Sequence, residues 1–147
     1  MTRLFTIAAA TLALMVPAVA HADTATLSYT APVTSAGITC RNVSGTLHLK
    51  NSVGQILATI TNHTHWCYHY ANGLTQLPTG STETGTGLGW DVDSKGYSRV
   101  WYTSTHGQAQ TDSWAHFSLS VPILGHLQTW TPDICIIVGD KGNARNC

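Results

Sequence analysis

His63 and His65 stand two residues apart in the run Asn62-His-Thr-His-Trp-Cys-Tyr-His-Tyr70, a spacing that puts both imidazoles on one face of an extended strand. Their bases are then ~6.6 Å apart, close enough for two ring nitrogens to share one zinc or copper ion. Cys67 and His69 continue that face, but His69 falls ~13 Å beyond His65 and outside a common coordination sphere. Trp66, Tyr68 and Tyr70 alternate to the other face and read there as an aromatic wall. A third ligand must come from elsewhere, and solvated surface histidines account for the same pattern without an ion.

The other aromatics offer a second chemistry. Trp101 shares a strand face with Arg99 and Thr103, and Trp114 shares one with His116, Ser118 and Ser120. An indole set among polar side chains is a stacking platform for a sugar ring, so Trp101, Trp114 and His116 are the candidate ligand-binding residues. Catalysis has less behind it. Glycoside hydrolysis needs two carboxylates across the scissile bond, and Asp91 with Asp93 reads instead as a strand entering a turn. No Gly-x-Ser-x-Gly elbow surrounds any serine, and no phosphate-binding loop or basic tract is present. The expected role is binding of an extracellular protein or a glycan without catalysis and without nucleic acid. Zinc or copper binding and a secreted hydrolase stand as alternatives.

Residues 1–22 carry Arg3, then an apolar run broken only by Thr6, Thr11 and Pro17, and end in Ala18-Val-Ala20 and Ala20-His-Ala22. That is the charged start, apolar middle and small-residue end of a cleavable export signal. Residues 23–147 then form one domain with six Lys and Arg against seven Asp and Glu, and nothing in them is apolar enough for stable membrane insertion. Cys40, Cys67, Cys135 and Cys147 are an even set in an exported chain, which implies two disulfides.

Apolar residues recur at every second position in short runs punctuated by Gly, Pro and Asn, and no helical period is sustained. Strands are expected at Leu27 and Tyr29, over residues 38–49 and 56–70, at 74–77, at Trp90 and Val92, and over 97–103, 114–121 and 134–138. Pro32, Pro78 and Pro122 act as stops. Turns are expected at 52–55 and 93–96, and at Asn72-Gly73, whose two positions both favour positive φ. Residues 79–89, rich in Thr, Ser and Gly, read as a surface loop and a candidate interaction surface, and 106–113 reads as a second loop. In the strand from Ile56, Asn62 and Thr64 interrupt the apolar row, and a bulge there would turn one half over. The pattern implies an all-β fold: a small disulfide-stapled antiparallel β-sandwich, immunoglobulin-like or similar, with a barrel as the alternative.

Hairpin register then suggests the bridges. If Asn51 pairs with Ile56, Cys40 falls opposite Cys67; if Gly139 pairs with Asn143, Cys135 falls opposite Cys147, with Gly142 at the left-handed position. Each bridge contributes on the order of 3 kcal/mol.

Trp66-Cys-Tyr68, Gly89-Trp90, Pro132-Asp-Ile134 and Val138-Gly-Asp140 together resemble a group of small secreted two-disulfide β-sandwich proteins of actinobacteria. The resemblance covers residues 47–142 and implies an extracellular bacterial β-sandwich. It transfers no activity and no ligand residues. In that group cysteines follow the position of Phe117, whereas residues 118–128 here contain none.

Overall fold

The period-two patterning resolves into two antiparallel sheets over residues 21–121 and 125–147, the parts of the chain that the computed structural model describes. The export signal expected over residues 1–22 lies outside them up to residue 20, as does Pro122. The first sheet contains β1 (His21–Ala22), β2 (Thr26–Tyr29), β3 (Val33–Ser35), β4 (Ile38–Lys50), β5 (Ile56–His69), β6 (Gly73–Leu74) and β7 (Thr79–Thr86). The second contains β8 (Trp90–Trp101), β9 (Gln108–Val121), β10 (Gly125–Trp130), β11 (Asp133–Gly139) and β12 (Ala144–Asn146). The sheets do not close into a barrel, and no helix occurs among the described residues. The fold is the expected β-sandwich.

The long hairpin β4–β5 is the spine of the first sheet. β1, β2 and β3 line the free edge of β4, and β6 and β7 line that of β5. In the second sheet β8 pairs along one edge of β9, with β10 and β11 along the other. Val43, Ile60 and Trp66 meet Phe117, Ile134, Ile136 and Val138 across the sandwich. The Trp66 indole Nε1 donates to the Gly139 carbonyl at 3.2 Å, so the largest core side chain also ties the sheets together.

No bulge turns β5 over at Asn62 and Thr64. Ala58, Ile60, Asn62, Thr64 and Trp66 all face inward and all are buried. The two polar residues instead build a bonded island between the sheets, as buried polar groups must. Asn62 Nδ2 donates to the Ile134 carbonyl at 3.1 Å, its Oδ1 accepts from Thr64 Oγ1 at 2.7 Å, and Thr64 and Thr111 hydroxyls meet at 2.8 Å. The Tyr97 phenol comes up to Thr64 and Thr111 without meeting a partner in bonding geometry, and burial raises its pKa above the ordinary 10.0. Beyond Trp66 the aromatic wall fades: Tyr68 is half-buried, and Tyr70, past the end of β5, is 84% exposed.

Both disulfides form as the registers imply, Cys40 to Cys67 and Cys135 to Cys147, which suits an oxidising, extracellular environment. The second register is the expected one, with the Gly139 amide donating to Asn143 at 2.9 Å and Gly142 at φ 75°. The first needs a correction at its turn. Asn51 bonds Gln55, Lys50 stands opposite Ile56, and a bulge between Leu49 and Lys50 absorbs one residue, restoring the register that brings Cys40 to Cys67.

Four local expectations are also corrected. Residues 79–86 are a strand, pairing from Thr79 opposite His65 to Thr86 opposite Ala58. Thr82, Thr84 and Thr86 carry the period with branched but polar side chains, which an apolar count misses. The edge of β7 toward β8 is closed by side chains, Thr82 Oγ1 donating to the Gly96 carbonyl and Lys95 Nζ to Thr84 Oγ1. No turn forms at 93–96; β8 runs through it with a bulge at Asp93. Residues 108–113 belong to β9, with Ala109, Thr111 and Ser113 buried. At Asn72-Gly73 only Gly73, at φ 82°, is left-handed, and the partner strand shrinks to β6.

Candidate functional site

Side chains that β4 and β5 turn away from the core form a ladder on the outer face of the first sheet. Cys40 stands opposite Cys67, Asn42 opposite His65, Ser44 opposite His63 and His48 opposite Thr59; β7 adds Thr79 opposite His65 and Ser81 opposite His63. A concavity of about 190 Å³ opens there, lined by Asn42, Ser44, His63, His65, Thr79 and Gly80 among others.

Each histidine of the expected pair is held by its own partners. His63 Nε2 lies 2.8 Å from Glu83 Oε2 and its Nδ1 lies 2.9 Å from Ser44 Oγ. A carboxylate only accepts, so Nε2 carries the proton and Nδ1 turns its lone pair to the serine hydroxyl. His65 Nδ1 lies 2.8 Å from Asn42 Oδ1, while Asn42 Nδ2 donates to Thr30 Oγ1 at 3.3 Å, which orients the amide. His65 therefore donates from Nδ1, leaving Nε2 bare at 3.5 Å from Cys67 Sγ. Among the described residues the one group of three or more His, Cys, Asp or Glu close enough to hold an ion is Cys40, His65 and Cys67, and its sulfurs are joined to each other. His48 bonds Thr59 Oγ1 at 3.0 Å, and His69 sits at the turn end beside Ala71.

On the outer face of the second sheet, Trp114 is 42% exposed and lies across Gly96 of β8, where any side chain would run into the ring. His116 projects two residues along. Its Nδ1 meets Thr131 Oγ1 at 2.8 Å and its Nε2 approaches Asp93 Oδ2 at 3.5 Å, while Asp93 Oδ1 accepts from Ser118 at 2.9 Å. Asp133, exposed, stands opposite Trp114 on β11. An open indole is thus flanked by carboxylates and an imidazole. Trp101 belongs to the other face of the same sheet: half-buried, packed against the core, and stacked on His106 at 4.2 Å. Trp101 and Trp114 cannot form one platform.

Three participants escape a reading of the residues alone. Ser44 falls opposite His63 in the register that pairs Cys40 with Cys67, so its signal was there. Glu83 is hidden by the polar composition of β7, and Asp93 reaches His116 from a bulge that no local pattern announces. Among the described residues no helix is long and apolar enough to cross a membrane. No family model, curated protein or solved structure matches this chain.

Proposed function

We propose that the chain is an exported extracellular binding protein and that its Trp114 face takes a saccharide. The export signal and two disulfides fit that location, and the resemblance to small secreted actinobacterial proteins supports a bacterial origin. The observation that carries the reading is the Trp114 indole, 42% exposed and lying over Gly96, with Asp133 in register beside it and His116, partnered by Asp93, two residues along the strand. A large apolar ring left open among polar groups suits a ligand with one apolar face and a polar rim, which describes a pyranose. A stacked sugar removes on the order of 100 Å² of apolar surface from water, worth ~2.5 kcal/mol. Hydroxyl bonds to the flanking carboxylates and to His116 must supply the rest of an affinity of about 1 mM.

A thermal-shift panel of cell-wall and plant oligosaccharides tests it. A ligand at ten times its Kd adds about 1.4 kcal/mol to stability, or roughly 5 °C. Trp114→Ala removes the shift while the unliganded domain still melts cooperatively. A shift that survives Trp114→Ala, or a panel without any shift, sinks the reading.

A further inference from the structure

Beyond saccharide binding, we infer that the opposite face holds a catalytic site: Ser44 is a nucleophile for short-chain carboxylic esters, with His63 as its general base and Glu83 as the residue that positions the base. The Ser44, His63 and Glu83 side chains form one chain of contacts, 2.9 Å from Ser44 Oγ to His63 Nδ1 and 2.8 Å from His63 Nε2 to Glu83 Oε2. A serine, a base within hydrogen-bond reach and a third group that orients the base are the parts an activated nucleophile needs. Glu83 can only accept, so it holds the proton on Nε2 and keeps Nδ1 free for the serine proton.

The concavity is a separate observation. Ser44 and His63 both line the space of about 190 Å³, a volume that suits a small acyl group. Asn42 and Thr79 line it as well, so an amide and a hydroxyl border the space an acyl group would enter. Ser44, His63 and Glu83 come from three adjacent strands, β4, β5 and β7, whose pairing fixes their spacing.

The reaction balances with water as co-reactant. Ser44 Oγ bonds to the ester carbonyl carbon while its proton passes to His63 Nδ1. The carbon–alkoxy bond then breaks, and the alkoxide leaves as an alcohol with that proton. Water attacks the acyl-serine, gives a proton to His63 Nδ1 and releases the carboxylic acid, and the proton returns to Ser44. Glu83 is 72% exposed and His63 41%, so solvent weakens the relay and turnover is slow.

The probes are a fluorophosphonate and p-nitrophenyl acetate, applied to the oxidised protein. One phosphonyl group should add to the intact mass and map to Ser44, and Ser44→Ala should abolish both the adduct and acetate release. His63→Gln should slow labelling about 10²-fold, the lower end for a positioned base. Glu83→Gln should lower kcat about tenfold with KM unchanged, because an orienting group acts on the reacting step alone. All three side chains stand outside the core, and a matched melting midpoint for each variant separates lost chemistry from lost fold. No adduct, an adduct on another residue, or equal labelling of His63→Gln overturns the assignment. Loss of saccharide binding by Trp114→Ala leaves this assignment untouched, since that site lies on the other sheet.

Discussion

Replacing Asn62 by valine should destabilise the domain, and replacing its partners as well should restore most of the loss. Asn62 is fully buried on β5 and reaches across the sandwich to the Ile134 carbonyl at 3.1 Å, while its Oδ1 takes the Thr64 hydroxyl at 2.7 Å. Its contacts to Thr111, at 3.4 Å and 3.5 Å, are too long to add much. Two good bonds at ~1 kcal/mol each give a cost of about 2 kcal/mol for Asn62→Val, or roughly 8 °C in the melting midpoint. The triple variant Asn62→Val, Thr64→Val, Thr111→Val removes every side-chain member of the island. The Ile134 and Ile136 carbonyls keep their places in the β9–β11 ladder, so little is left unpaired. Its stability should lie within about 1 kcal/mol of the parent, because replacing both partners of a buried bond by matching apolar groups is close to neutral. Urea unfolding with the disulfides intact measures all of these. A neutral Asn62→Val, or a triple variant less stable than the single one, would refute the claim that bonding in this island offsets its burial.

Tyr97 supplies a pH dependence. Its folded pKa lies above the unfolded value of 10.0, so its contribution is fully present below pH 10 and is lost as pH rises from there through the higher folded pKa. Tyr97→Phe should flatten that alkaline loss in urea midpoints taken from pH 8 to 11, and an unchanged slope counts against a buried phenol. Gly96→Ala should lift the Trp114 indole off β8, seen as a changed tryptophan emission and a weakened saccharide shift, since the added methyl occupies the ring's place. Replacing Cys40 with Cys67 by alanines should cost about 3.5 kcal/mol and Cys135 with Cys147 about 3, because the first pair closes 27 residues and the second 12; chemical unfolding of the two variants gives the order. Zinc or copper added against a chelator control should move the melting midpoint by less than about 1 °C, since His63 is held by Ser44 and Glu83 and His65 by Asn42, and an ion would have to displace those bonds.

Long-range pairing was legible wherever side chains of distinct chemistry repeated in register. Cys40 to Cys67 and Cys135 to Cys147 follow from hairpin counting, and the outward row His63, His65, Cys67 follows from alternation alone. The places that misled share one cause: polar residues performing apolar tasks. Asn62 and Thr64 sit in the core because Thr111 and the Ile134 carbonyl receive them from the other sheet, a fact no local window contains. Thr82 and Thr84 pass for loop residues because their burial depends on β8 standing beside β7. At Asp93, a bulge preserves strand continuity where the composition Asp-Ser-Lys-Gly favours a turn, and pairing with β9 on both sides outweighs that local preference.

The same polar residues decide where chemistry can reside. Because Asn62 and Thr64 keep β5 in unbroken alternation, His63 and His65 stay outward, and the register that bonds the cysteines also sets Ser44 against His63. A one-residue bulge at position 62 would have sent both histidines into the core and taken the concavity with them. The island and the relay are therefore one consequence of register, read on two faces of a strand. It follows that the apolar triple variant, which keeps the alternation, should keep the fluorophosphonate labelling of Ser44 at the parent rate. A one-residue insertion after Asn62 should abolish it even where the domain still folds, and retained labelling in that insertion variant would break the link between register and site.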